Sequence, residues 1–300
     1  MFDVFEPKGR AFLEPAAHSG NPADAAVMIL PVPFEATSTF GSGSHRGPSA
    51  ILSVSTELEL FDAVLGREPY LDCGGIATLR PLDVADHTGK SLCDRLSKEV
   101  NTWLAQGKFV ITLGGEHTSV VGAIHAHCEF FEDLTVLTVD AHSDLRDTYL
   151  NDPWNHACAM ARVLDFHDAM VQVGVRSQDR SERVRAESAG LPIFYARRIH
   201  ECEAKGDDWM AEVIGAMRKR VYISFDCDAL DPAILPATGT PEPDGLTWHQ
   251  VDGLLARLCL EREVVGFDVA ELAPVEGLLH PQFTIAKLIY RFIGRRFPAA

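Results

Sequence analysis

Six apolar runs of strand length punctuate the chain, each stopping at a proline, glycine, aspartate or arginine. Residues 26–30 run into Pro31, 109–113 into Gly114, 135–139 into Asp140, 171–175 into Arg176, 220–225 into Asp226 and 264–267 into Asp268. Near-continuous apolar runs, rather than alternating ones, mark strands covered on both faces, as in a parallel sheet. Helical spacing lies between them. Residues 91–105 place Leu92, Leu96, Val100 and Leu104 on one face. Thr247 has the chemistry of an N-cap and opens a stripe of Val251, Leu254, Leu255 and Leu258. Strands alternating with helices predict an α/β fold: a three-layer, doubly wound, mostly parallel sheet. No Gly/Ser linker, repeat or low-complexity stretch divides the chain, so residues 1–300 are expected to form one domain, with 1–24 an extension packed on or near it.

Composition narrows the partners. Hydrophobic residues make up 46% of the chain and charged ones 23%, enough to bury a sizeable core. The formal charge of −16 comes without any basic stripe, which argues against nucleic acid and towards a cationic small molecule. The seven cysteines are odd in number, scattered and free of any Cys-x-x-Cys pair, the pattern of free thiols in a reducing compartment. Residues 1–20 carry charges and lack an apolar signal core, and no apolar run could span a bilayer. The expectation is a cytoplasmic protein with no membrane partner.

Three clusters of metal-ligand side chains follow predicted strands: His117 in Gly114-Gly115-Glu116-His117, then Asp140-Ala141-His142-Ser143-Asp144, then Asp226-Cys227-Asp228. Ligands of open parallel sheets gather beyond the carboxyl ends of strands, so the three clusters should share one cleft. Four carboxylates and two imidazoles exceed what one divalent ion needs and suit two adjacent ions with shared carboxylates. An oxygen-rich donor set with some imidazole and no thiolate suits Mn²⁺ and related ions rather than structural zinc. If the chain leaves its strand extended, Asp140, His142 and Asp144 point to one side, and Cys227 faces away from Asp226 and Asp228. Each fragment alone has an ordinary reading, since an Asp after a strand is often a turn former. His125 and His127, two apart on a helix, face different sides and suit surface or packing roles. The same ordinary reading covers His18, His87, His167, His200 and His280.

These motifs, with Ser224-Phe225-Asp226-Cys227-Asp228-Ala229-Leu230-Asp231-Pro232 and Asp268-x-x-Glu271, resemble the signatures of the ureohydrolases, the arginase and agmatinase enzymes that release urea from guanidino compounds. The resemblance runs from near Val27 to near Pro274 and implies an arginase-like sheet with two Mn²⁺, Co²⁺ or Ni²⁺ being possible substitutes. It implies one ion on His117, Asp140, Asp144 and Asp226, and another on His142, Asp140, Asp226 and Asp228. Attack of a hydroxide on the guanidinium carbon is then assisted by Asp144, with Glu271 paired to the guanidinium and His156 shuttling protons. Homo-oligomers, trimers or hexamers, are implied too.

Residues 144–157, 236–247 and 40–51 lean towards agmatinase, with the last a pocket-lining loop. The expected reaction is agmatine to putrescine and urea. Arg146 keeps acidic substrates open, so guanidinobutyrase, guanidinopropionase and arginase are the alternatives. Asp244, where glycine is usual, and Val275-Glu276-Gly277 are expected at the cavity mouth. Two other classes are a single-zinc deacetylase-like amidohydrolase and an inactive metal-binding protein. The first cannot use His117, Asp144 and Asp228 together; the second has no missing ligand to recommend it.

Overall fold

The computed structural model describes residues 4–6, 10–13 and 22–299. The apolar runs form strands: β1 (Val27–Val32), β3 (Phe109–Gly114), β4 (Leu134–Val139), β5 (Met170–Val173), β7 (Arg220–Asp226) and β8 (Glu263–Ala270). Two short strands complete the sheet, β2 (Ile76–Thr78) and β6 (Ile193–Phe194). All eight pair in parallel, in the order β2-β1-β3-β8-β7-β4-β5-β6.

The alternation of side chains across each strand splits the interior in two. Val27, Ile29, Ile111, Leu137, Ile223 and Phe267 face one core, closed by helices Trp248–Glu261 and His280–Arg296. Met28, Leu30, Val110, Val136 and Tyr222 face the other, closed by helices Gly89–Leu104 and Val121–Phe130. Burial on both faces is why these strands read as unbroken apolar runs. Thr247 caps its helix as expected: its hydroxyl accepts from Gln250 N at 3.2 Å, and Gln250 Oε1 accepts from Thr247 N at 2.8 Å.

Parts of the N-terminal stretch are tied down. Phe12 N donates to Thr78 Oγ1 and Leu13 N to Ser55 Oγ, both at 2.9 Å, and both side chains are buried. Residues 1–3, 7–9 and 14–21 of the expected 1–24 extension, His18 included, lie outside the described residues. All seven cysteines are free thiols. Among the described residues no helix is long and apolar enough to cross a membrane.

Candidate metal centre and substrate cavity

Four adjacent strands in the middle of the sheet, β3, β8, β7 and β4, end on one edge, and each delivers part of the site. β3 leads through Gly114 and Gly115 to His117, β4 to Asp140, β7 ends on Asp226 and β8 leads to Glu271. Close packing requires Gly115, since a Cβ there would sit 2.1 Å from the Phe34 carbonyl oxygen. Its bare backbone instead ties neighbouring strand ends together: Gly115 N donates to Val32 O at 3.0 Å and Glu271 N donates to Gly115 O at 2.7 Å.

All six expected ligands meet. His117 Nδ1 lies 2.9 Å from Asp144 Oδ2, 3.2 Å from Asp140 Oδ2 and 3.4 Å from Asp226 Oδ2. His142 Nδ1 lies 3.0 Å from Asp228 Oδ2 and 3.7 Å from Asp140 Oδ1. Two donor groups result, His117 with Asp140 and Asp226, and His142 with Asp140 and Asp228, so Asp140 belongs to both.

The route to convergence differs from the extended exit expected of Asp140-x-His142-x-Asp144. β4 stops at Val139, Asp140 Oδ1 accepts from His142 N at 2.6 Å, and Asp144 sits at a left-handed φ of 52°. The three side chains are gathered by a tight turn, not by strand alternation. Asp226 likewise caps a helical turn, accepting from Asp228 N at 2.8 Å. Left-handed backbone at a non-glycine residue costs about 1–3 kcal/mol and persists where the surroundings dictate it. Asp144 shares that conformation with Glu271, whose φ is 63°. Cys227 does face away, buried in the core.

The charges fit divalent cations. One ring nitrogen carries at most one proton, so His117 Nδ1 cannot satisfy three carboxylates. Asp140 Oδ2 is buried with no hydrogen-bond partner. Burial alone favours the neutral forms, and the site resolves this unevenly. It pushes Asp144 up to about 6 despite the nearby His117, and raises Asp226 well above its ordinary range with help from Asp228 and Asp140. Burial opposes charge on His142, but Asp228 and Asp140 outweigh it and push the imidazole up to about 12. Bound cations would relieve this crowding of like charges. The donors are hard oxygens and two imidazoles, the set for Mn²⁺-class ions.

Residues that the sequence reading gave no role support this cluster. His117 Nε2 lies 3.1 Å from Ser224 Oγ, which donates to Asp268 Oδ1 at 2.9 Å. With the serine proton spent on Asp268, Nε2 must carry a proton, and Nδ1 is the nitrogen turned to the carboxylates. Arg176 donates to the backbone carbonyls of Asp228 at 2.6 Å and Ala229 at 3.3 Å, pinning the turn that carries Asp228. Ser224 and Asp268 stood within the quoted motifs, but without a role of their own.

A cavity of about 340 Å³ opens on the cluster, lined by His142, Asp144, Asp228, His156 and Glu271 among others. Glu271 Oε1 accepts from His117 N at 2.7 Å, and its desolvated setting, with Glu116 nearby, holds its pKa well above the ordinary range. Burial lowers His156 below the usual imidazole value, which keeps it neutral. Arg146 lies over the Tyr149 ring at 4.8 Å and faces Asp179 at 3.8 Å and Glu182 at 3.9 Å, so its charge is already shared. Of the glycine-rich loop, the cavity is reached by the adjoining Thr39; Gly41 packs against Gly239 instead. Asp244 and Val275-Glu276-Gly277 do not line the cavity, contrary to expectation. Asp244 has a φ of 64°, a left-handed turn position suited to glycine, and its carbonyl accepts from His200 Nε2 at 3.3 Å.

The arginase family model matches residues 25–294. The chain is 35% identical to the N(1)-aminopropylagmatine ureohydrolase of Synechocystis sp., covering 95% of this chain and 93% of that protein. It is 39% identical to the enzyme of the same name from Thermus thermophilus, covering 90% of each. Among solved structures, the agmatine ureohydrolase of Thermoplasma volcanium superposes with a TM-score of 0.82 at 29% identity, covering 95% of this chain and 94% of that one.

Proposed function

The chain belongs to the arginase family of hydrolases acting on guanidino compounds, and from that premise we propose that it hydrolyses N(1)-aminopropylagmatine in preference to agmatine, releasing urea and the corresponding amine. The observation that carries the chemistry is the convergence of Asp140, Asp144 and Asp226 on His117 Nδ1 at the cavity floor beside Glu271. Substrate choice rests on the names of the relatives at 35% and 39% identity.

His117, Asp140, Asp144 and Asp226 would hold one ion, and His142, Asp140, Asp226 and Asp228 the other, with Mn²⁺ first and Co²⁺ or Ni²⁺ able to replace it. Bound there, the ions supply a water-derived nucleophile at neutral pH and offset charge that develops in the transition state. The remaining roles fall to side chains. Glu271 pairs with the planar guanidinium and turns its carbon towards the cluster. Asp144 accepts a hydrogen bond from the attacking oxygen. His156 carries a proton to the departing amine as the carbon–nitrogen bond breaks, so water and the guanidinium become urea and an ammonium. A cytoplasmic homo-oligomer, trimer or hexamer, completes the proposal, and light scattering on the purified protein tests the assembly.

The experiment is urea release by Mn²⁺-loaded protein from N(1)-aminopropylagmatine, agmatine, arginine, guanidinobutyrate and guanidinopropionate. The expected result is the highest kcat/KM on N(1)-aminopropylagmatine. A higher value on agmatine reverses the substrate assignment, and urea from neither polyamine overturns the proposal.

A further inference from the structure

His156 has a hydrogen-bond arrangement that fixes which of its ring nitrogens carries the proton. Its Nδ1 lies 3.2 Å from Thr37 Oγ1, and its backbone N–H donates to the same oxygen at 2.8 Å. Thr37 Oγ1 in turn donates to Glu116 Oε1 at 3.0 Å. Glu116 is wholly buried and receives two more donors on its other oxygen, Thr37 N at 2.7 Å and Ala36 N at 2.9 Å. A hydroxyl offers one proton and two lone pairs. Here the proton goes to Glu116 and one lone pair to the His156 backbone. Only a lone pair remains for the ring, so His156 Nδ1 must be the donor.

We infer that Thr37, anchored by Glu116, is a positioning residue that holds neutral His156 as the Nδ1–H tautomer, with Nε2 left as the basic nitrogen for the cavity the ring lines. The inference rests on the reading of His156 as the proton carrier. In that role Nε2 takes a proton and later gives it to the departing amine nitrogen, while Nδ1–H stays on Thr37 throughout. Without the threonine hydroxyl the ring is free to take the other tautomer and to turn, and it then presents N–H where a base is needed. Glu116, beside His117 in sequence, thereby supports a cavity residue outside the ligand cluster it adjoins.

The test is nitrogen-15 NMR of histidine-labelled, metal-free protein, with the His156 signals identified by their loss in His156→Asn. Wild type should show a protonated Nδ1 and an unprotonated Nε2. Thr37→Val should shift His156 towards the Nε2–H form and lower kcat of the loaded enzyme by roughly 10-fold with little change in KM. Thr37→Ser, which restores the hydroxyl, should recover both. Nε2–H in wild type, or an unchanged tautomer in Thr37→Val, would overturn the inference. Full activity of His156→Asn would instead sink the proton-carrier reading and with it the catalytic consequence, whatever the tautomer.

Discussion

Two buried charge clusters in this protein follow opposite rules. Asp62 is fully buried beneath helix His280–Arg296, with Lys287 Nζ and Arg291 Nε each 3.0 Å from its Oδ2, and Oδ1 accepts from Val64 N at 2.9 Å and Leu65 N at 3.1 Å. Burial works against its charge, yet the Arg291 and Lys287 partners win and hold the carboxyl down at about 2. At the strand ends, by contrast, the cationic partners of Asp140, Asp144, Asp226 and Asp228 among the described residues are the imidazoles of His117 and His142 alone. Burial displaces two of these carboxyls, Asp144 and Asp226, upward, while Asp140, which has both imidazoles beside it, is held below its ordinary value. One cluster closes its charge within the chain; the other is left open for cations from outside. That contrast separates a structural ion pair from a site better than burial alone does, since the carboxylates of both are buried.

The sharpest way to break the comparison is to neutralise one carboxylate in each cluster. Asp226→Asn should cut activity by at least ~100-fold, more than the loss expected of a supporting hydrogen-bond partner, and lower the metal content seen by elemental analysis. Full metallation with normal turnover would refute its role as a ligand. Asp62→Asn should do the reverse, keeping kcat while losing about 3–5 kcal/mol of stability in urea unfolding, because Lys287 and Arg291 would be left poorly paired. Its pH dependence follows from the sign of the shift. A folded pKa near 2 lies below the unfolded value, so the stabilisation is full above the ordinary carboxylate range and is lost as pH falls through it towards 2. The stability gap between wild type and Asp62→Asn should therefore close on acidification, and a gap that widens would contradict the assignment.

Smaller effects sharpen the open cluster. Glu271→Ala should retain the metals and raise KM by about 10- to 100-fold, the worth of a charge-assisted hydrogen bond. Unchanged KM and kcat would remove Glu271 from substrate binding. Ser224→Ala, which breaks the path from His117 to Asp268, should weaken metal binding by about 10-fold in a calorimetric titration while leaving the fold intact.

The central strands were legible because double-sided burial makes them continuous apolar runs, and the ligands because aspartate and histidine directly after such runs are conspicuous. The edge strands β2 and β6 escaped because three and two residues leave too short a pattern to read. The supporting residues escaped for another reason. Ser224 and Asp268 point from inside strands towards His117, and Thr37 reaches Glu116 across 79 positions of sequence. The quoted motifs held Glu116, Ser224 and Asp268, but their pairings are made by the fold, so no local spacing announces them. Alternation also gave the right conclusion for Asp140, His142 and Asp144 by the wrong route, since a turn and a left-handed Asp144 bring them together. His127 met its expected packing role: it is fully buried, its Nδ1 donates to Ala123 O at 2.8 Å, and burial lowers its pKa to about 4.

The most direct test of the open cluster is a count of tightly bound ions per chain, made alongside urea release on the same samples. Stepwise loading with Mn²⁺ should saturate at two ions, with urea release rising as the second is filled. Full activity at one ion or none would contradict the reading of the strand-end carboxylates as a two-cation site.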